Sequence, residues 1–363
     1  MKVVHLTKYF YPYKGGIEKY VMEIVKRSKK HQFIVIASSD DKRIHFNRFG
    51  RVKVLKLPRL WTVFHAPFTL PFVSVLRKLN PDIIHLHVPN PWFEFNLLVY
   101  KLLGGKGRVV VTYHSDIINY TPFHLLLNIS RIFLLIPLLI ISDVVIATSK
   151  NYVQSSIFLR SVRKKVRVIP IGVDEKRFKP TGRENEGEIL FVGRLFPYKG
   201  LEYLVLAVGY VSREKKNFVV KIVGEGKERS KLEKMVKDMS LEKWIKFEGG
   251  VDEEEITRYY NSCCIFVLPS IHRSEAFGIA QLEAMSSGKP VISTRIKGSG
   301  VPWVNQDGVT GLVVPPRDPE RLAKAILNLL GNNVMRKKMG KNARKKALSF
   351  SWETIAKKTI KVY

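Results

Sequence analysis

Two acids with an i, i+8 spacing, Glu275 and Glu283, flank Phe277-Gly278-Ile279 in the stretch from Ser274 to Met285. An apolar run from Ile265 to Leu268 precedes them and ends at Pro269-Ser270. This order predicts a strand, a polar loop and a helix that opens around Phe277 or Gly278. The first N–H groups of a helix have no partners within it, so an anion or a row of hydroxyls can dock beside Gly278. Glu275 stands just before those donors. If the helical turn already includes it, the two carboxylates lie roughly 80° apart on neighbouring faces. A solvated loop acid and a helix-surface acid fit the same spacing.

A second set of polar residues has a similar setting. Ile189 to Val192 reads as a strand, and Gly193-Arg194-Leu195-Phe196-Pro197-Tyr198-Lys199-Gly200 leads from it into a helix at Leu201. Val219 to Val223 is another strand, ending in the short loop Gly224-Glu225-Gly226. Near the start, Val3 to Leu6 leads into a loop with Gly15-Gly16 and a helical pattern from Lys19 to Lys29. Paired glycines there admit a phosphate near a helix start, or make a plain turn. Their spacing is not Gly-x-Gly-x-x-Gly, which weakens an oxidoreductase reading.

Taken together these motifs resemble glycosyltransferase family 4, retaining enzymes of the GT-B fold. The resemblance covers essentially the whole chain, most specifically residues 189–315. It implies an α/β architecture: two doubly wound, parallel-sheet Rossmann-like domains facing a cleft, with a C-terminal helix returning to the first. It implies that Glu275 contacts the hydroxyls of the transferred sugar and Glu283 the ribose. The backbone of Phe277, Gly278 and Ile279 would meet the sugar and diphosphate, which Arg194 and Lys199 grip. Gly224 would lie by the nucleoside, and Phe247, in the stretch Trp244 to Val251, by the base. Gly15 and Gly16 would face the diphosphate. Val111-Thr112-Tyr113-His114-Ser115-Asp116 resembles the family's Thr-x-His-Asp, so His114 would approach the reacting sugar. Ser115 intervenes before Asp116, which therefore receives no role. The family's Gly-Gly-x-Pro-Glu reads Ser299-Gly300-Val301-Pro302-Trp303, with Trp303 in place of the acid. Breaking a sugar–phosphate bond leaves growing negative charge on a nucleoside diphosphate, and two fixed cations can stabilise it as a metal would elsewhere. No Asp-x-Asp is found. The expectation is metal-independent catalysis by Glu275, His114, Arg194 and Lys199, without a cofactor, the nucleotide sugar being a co-substrate.

The elements that must hold these residues alternate. Strands are expected at Phe33–Ala37, Val52–Leu57, Ile83–His87, Arg108–Tyr113, Val144–Ala147 and Val291–Thr294, a parallel-sheet pattern. A helix is expected around Asn151 to Leu159. His85, His87 and His114 lie near strand carboxyl ends, where open α/β sheets build sites. A metal is set aside for them because no carboxylate or cysteine cluster joins them. The expected division is 1–172, a linker 173–188, a nucleotide-sugar domain 189–349 and a closing helix 350–363 with Trp352 as its anchor. Helices at Pro319–Leu330 and Asn333–Leu348 precede the last one.

A chain of 363 residues, 45% hydrophobic, has room for two cores. Cys263 and Cys264, its only cysteines, adjoin in an apolar run and read as buried residues of a reducing compartment. Met1-Lys2 runs straight into a strand, so no signal peptide is expected. The net charge of +31 is uneven: residues 1–170 hold 27 Lys+Arg against 8 Asp+Glu. No nucleic-acid motif accompanies this excess, and an anionic membrane surface is the better partner. Leu57 to Leu79, with Trp61, Phe64, Phe68 and Phe72 near Arg59, Arg77 and Lys78, is apolar and basic together. In 122–141 the unbroken apolar stretch from Ile132 is about ten residues, short of the roughly twenty that span a bilayer, and Pro137 would kink it. A buried helix and a helix at a membrane surface or acceptor groove both fit. The expected location is cytoplasmic, peripheral on the inner face of the cell membrane. The expected reaction passes a hexose, mannose from GDP-mannose as first choice, to a hydroxyl of a lipid or lipid-linked glycan. UDP-glucose or UDP-N-acetylglucosamine as donor, a nucleotide-sugar epimerase, a silent nucleotide-sugar-binding subunit and, on charge alone, a nucleic-acid-binding protein are the alternatives.

Overall fold

The computed structural model describes residues 1–13, 15–63, 66–117, 122–252 and 254–363, without the side chains of 122–130. Phe64 and the first half of the apolar stretch 122–141 are thus outside the described side chains. The chain divides into two compact units, Met1–Ile171 with Glu353–Tyr363, and Gly172–Trp352.

In the first unit the strands are β1 (Lys2–Leu6), β2 (Gln32–Ser39), β3 (His45–Phe49), β4 (Val52–Val63), β5 (Ala66–Thr69), β6 (Ile83–Val88), β7 (Arg108–Tyr113), β8 (Val144–Ala147) and β9 (Val166–Val168). Among the described residues their order is β3-β4-β2-β1-β6-β7-β8-β9, with β5 paired to β4. All neighbours are parallel except β3 and β5, each antiparallel to β4. Helices α1 (Gly16–Arg27), α2 (Val73–Leu79), α3 (Pro91–Leu102), α4 (Pro122–Ile141), α5 (Lys150–Ser155) and α6 (Ile157–Ser161) intervene. Strands covered on both faces need no polar side, which is why β1, β2, β6 and β7 are mostly apolar, with buried polar exceptions such as His5, His85, His87 and Thr112.

Two expectations change here, for Asn151–Leu159 and Pro137, and the apolar and basic stretch gains a structure. The stretch Leu57 to Leu79 is the end of β4, the strand β5 and then α2; Leu57, Phe72 and Leu76 are buried, whereas Leu60, Trp61 and Val63 are exposed. The expected helix Asn151–Leu159 is two helices, broken at the extended backbone of Ser156. Pro137 sits inside a continuous α4. The carbonyl that loses its partner there belongs to Phe133, which is 77% exposed, so water can supply the bond. Leu135, Leu138 and Leu139 of the same helix are fully buried, the i, i+3, i+4 stripe of a helix packed on a core.

The second unit holds β10 (Glu188–Val192), β11 (Val219–Val223), β12 (Ile245–Gly249), β13 (Ile265–Leu268), β14 (Val291–Thr294) and β15 (Gly311–Val314). They form an all-parallel sheet in the order β12-β11-β10-β13-β14-β15. Its helices are α7 (Leu201–Glu214), α8 (Arg229–Asp238), α9 (Ile256–Ser262), α10 (Ile279–Ser286), α11 (Val301–Val304), α12 (Pro319–Gly331) and α13 (Asn333–Leu348). Residues 173–188, expected as a linker, fall within this unit. Phe178 is buried, and its carbonyl accepts hydrogen bonds from Ser286 Oγ at 2.7 Å and Arg344 Nη1 at 2.9 Å. The last helix, α14, runs Trp352–Ile360. Trp352 is buried against Gly172, where any larger residue would strike its ring, and from Glu353 on the chain belongs to the first unit. Burial pushes the Cys263 thiol up, which keeps it a protonated core residue.

Candidate active site

In a doubly wound sheet, ligands bind beyond the carboxyl ends of the two strands where the order reverses. In the second unit those strands are β10 and β13. The loop after β10 carries Gly193 to Lys199, and the loop after β13 carries Ser270 to Gly278. They meet: Ile271 N donates to Tyr198 O at 2.9 Å. Gly200 makes the approach fit, since its backbone is left-handed (φ 65°) and a Cβ there would overlap Pro269 O. The result is an ion pair, Lys199 Nζ to Glu275 Oε2 at 2.5 Å, with both side chains about nine-tenths buried. Ser270 Oγ donates to the same oxygen at 3.2 Å, and Ser299 Oγ donates to the Glu275 carbonyl. Lys199, expected on a diphosphate, and Glu275, expected on a sugar, are thus partners of each other in one buried pair. Arg194 is exposed on the same loop, with its guanidinium 5.0 Å from the Phe196 ring centroid.

Helix α10 begins at Ile279, so Glu275 lies off the helix and the 80° reckoning between the two acids does not apply. Gly278 is its N-cap in left-handed backbone (φ 78°). Glu283 accepts a hydrogen bond from Tyr260 OH at 3.0 Å. Burial, then the Glu283 charge, push that phenol well above its ordinary range, so it stays a donor. Phe277 is buried, its ring 6.3 Å from those of Trp303 and Phe350. Trp303, standing where the family has an acid, is therefore part of an aromatic cluster. Gly224 donates to Gly249 O at 2.7 Å and lies so close to Gly193 O that a Cβ would overlap it. That backbone approach accounts for the glycine whether or not a nucleoside lies beside it. Phe247 on β12 is half-buried.

In the first unit the reversal falls between β1 and β6, where His5 and His85 are paired in register. Gly15 is the N-cap of α1 and Gly16 its first residue. His114, directly after β7, is 7% exposed and joins a row of buried polar groups. His114 Nε2 is 3.1 Å from His87 Nδ1, and His87 Nε2 is 3.0 Å from His5 Nδ1. His5 Nε2 is 3.3 Å from Tyr363 OH, which is 2.8 Å from His85 Nδ1, and His85 Nε2 is 2.6 Å from Thr112 Oγ1. Burial lowers His5 and His114 to about 3. Burial, then their histidine neighbours, hold His85 and His87 well below the ordinary value. All four imidazoles are neutral at pH 7. Among the described residues, ligand nitrogens of His5, His85 and His87 lie within 4.8 Å of one another. Each of those rings already has both nitrogens in hydrogen bonds, which a metal would have to break.

Ser270, Tyr260, His5, Thr112 and Tyr363 were not read from the sequence as site residues. Position after a strand could have singled out Ser270. The others are brought in by pairing between segments far apart in the chain.

The protein-family description "Glycosyl transferases group 1" matches residues 172–346, and "Glycosyltransferase Family 4" matches 14–177. O-antigen chain mannosyltransferase C of Escherichia coli is 30% identical over 359 residues, covering 95% of this chain and 93% of its own. D-rhamnosyltransferase WbpZ of Pseudomonas aeruginosa is 34% identical over 357 residues, covering 94% and 90%. In structure, sucrose-phosphate synthase from Thermosynechococcus elongatus aligns with a TM-score of 0.80 over 100% of this chain and 98% of its own, at 23% identity. With 95% of its length matched in sequence to a relative 30% identical and its two doubly wound units matched in structure, the chain belongs to the family 4 glycosyltransferases and has their GT-B fold.

Proposed function

We propose that the protein is a retaining, metal-independent hexosyltransferase that moves a mannosyl unit, with GDP-mannose as first donor, to a hydroxyl of a lipid or lipid-linked glycan. The observation that carries this reading is the buried Lys199–Glu275 pair at the sheet reversal, with Arg194 on the same loop. In the reaction the bond from the sugar's C1 to the diphosphate oxygen breaks, and a bond from C1 to the acceptor oxygen forms on the same face. The acceptor's proton passes to the departing phosphate. Arg194 and Lys199 offset the charge growing on that phosphate, work a divalent metal does elsewhere. Glu275 orients the sugar and Glu283 the ribose, and the family resemblance gives Gly15 and Gly16 a diphosphate role and His114 a role at the reacting sugar. The mannosyl choice is supported by the two relatives named above, since rhamnose is 6-deoxymannose and their sugars share one ring configuration.

The test is a thermal-shift screen without metal against GDP-mannose, UDP-glucose and UDP-N-acetylglucosamine, followed by transfer to a lipid-linked glycan. A selective rise in melting temperature with GDP-mannose is expected, since a ligand that binds only the native state stabilises it. The product should carry an α-linkage by proton NMR. A β-linked product would refute retention, and a shift with UDP sugars alone would replace the donor.

A location on the inner membrane face is part of the same proposal. Among the described residues no helix is long and apolar enough to cross a membrane. The first unit nevertheless exposes Leu60, Trp61 and Val63 on β4, with Trp61 58% exposed, and Ile132, Phe133 and Ile140 on α4. Apolar side chains on a strongly basic unit suit an anionic lipid surface. At low salt the protein should sediment with vesicles containing phosphatidylglycerol and should be released from them by Trp61→Ser with Phe133→Ser. Equal recovery in the supernatant with and without vesicles would rule this location out.

A further inference from the structure

A neutral imidazole has one N–H and one bare nitrogen, so in a closed row of hydrogen bonds the direction of one bond dictates all the others. The row ending at His114 has a fixed beginning. Thr359 Oγ1 donates to the Ile355 carbonyl at 2.9 Å, which can only accept. Tyr20 OH, 3.1 Å from Thr359 Oγ1, must then donate to it, because the Thr359 proton is already used. Thr112, which bonds to the Tyr20 hydroxyl, must give its proton to Tyr20. That leaves Thr112 Oγ1 as the acceptor from His85 Nε2–H at 2.6 Å. His85 Nδ1 is therefore bare and accepts from Tyr363 OH, whose oxygen accepts from His5 Nε2–H. His5 Nδ1 accepts from His87 Nε2–H, and His87 Nδ1 accepts from His114 Nε2–H. Among the described residues Tyr363, nine-tenths buried, is the one hydroxyl joining His85 to the other three rings, and Arg108 Nη1 holds its main-chain oxygen at 2.7 Å.

We propose that Tyr363 is a positioning residue: through His5 and His87 it fixes His114 as the Nε2–H tautomer, so that His114 presents a bare Nδ1 that accepts a hydrogen bond from a hydroxyl of the reacting sugar or acceptor. The tautomer follows from the hydrogen-bond row alone, and the catalytic consequence rests on the reading of His114 under Proposed function. Burial strengthens the case, because a row that stays neutral cannot satisfy itself by taking up an extra proton.

The experiment is a long-range proton–nitrogen correlation spectrum of the full chain labelled with ¹⁵N-histidine, with His114 assigned by His114→Gln. Wild type is expected to show protonated Nε2 and bare Nδ1 at His114. Tyr363→Phe, which never touches His114, is expected to leave it in mixed tautomers. It should lower kcat about tenfold, the worth of one hydrogen bond, with the donor KM unchanged. Thr112→Val cuts the row on the other side of His85 and should do the same, which keeps the test open if Tyr363→Phe fails to fold. His114 found with Nδ1–H in wild type, or unchanged in both variants, overturns the proposal. So does one equivalent of transition metal held by His5, His85 and His87 in the purified protein. Mixed tautomers with unchanged kcat would uphold the row and remove His114 from the reaction.

Discussion

Lys199→Met is expected to lower turnover by about 10²–10³-fold, the usual loss when a fixed positive group facing developing charge is removed. It should also destabilise the fold by about 3 kcal/mol, because the Glu275 carboxylate is left buried with Ser270 as its remaining side-chain donor. The informative variant is the double one, Lys199→Met with Glu275→Gln. Replacing both members of a buried pair is often nearly neutral for stability, so the urea midpoint should return most of the way to wild type. Turnover should not return, because a mended core still lacks the Lys199 cation that, beside Arg194, would offset the charge on the leaving diphosphate. If the double variant recovers activity along with stability, the pair is only structural and the proposed chemistry loses its centre. Lys199→Met within tenfold of wild-type turnover would do the same.

The sequence makes the two members of that pair legible but not their pairing. Lys199 and Glu275 each follow an apolar strand and precede a helix, and this local setting singles them out. Their contact depends on β10 lying beside β13, with β11 and β12 placed on the other side, and hydropathy says nothing of strand order. The same divide runs through the fold. Arg108–Tyr113, Val144–Ala147 and Val291–Thr294 have the bounds their sequence predicts, because buried parallel strands are largely apolar. Strand β3, largely exposed and carrying His45, Asn47 and Arg48, has no such run to mark it. The spacing of Glu275 and Glu283 allows a helix that includes Glu275, yet the helix begins only after Gly278, since helix starts are set by backbone conformation at the cap more than by periodicity. His5 was read as one more strand residue. Its pairing in register with His85, and the arrival of Tyr363 from the far end of the sequence, are tertiary facts.

Those histidines also carry the second large effect, an acid-labile fold. His5 and His114 are held at about 3 by burial, against 6.5 when unfolded. Between those values the unfolded chain binds protons that the folded chain refuses, so stability rises with pH and is lost on acidification. Well below pH 6.5 each such histidine costs about 1.4 kcal/mol per pH unit. From pH 7 to 5.5 the two together should remove about 2.5 kcal/mol, with His85 and His87 acting in the same direction. That is a large share of the 5–15 kcal/mol typical of a folded domain. The urea midpoint of wild type should therefore fall steeply over this interval, and His5→Gln should make the fall shallower by about one proton's worth. A chain of net charge +31 could also lose stability in acid through repulsion among its surface cations. Added salt separates the causes, since at 0.5 M it screens exposed charges beyond about 4 Å and leaves buried groups much less affected. A slope that survives 0.5 M salt belongs to the histidines. A flat midpoint between pH 7 and 5.5, or a slope that salt abolishes, would show that these four rings do not titrate as a buried neutral row.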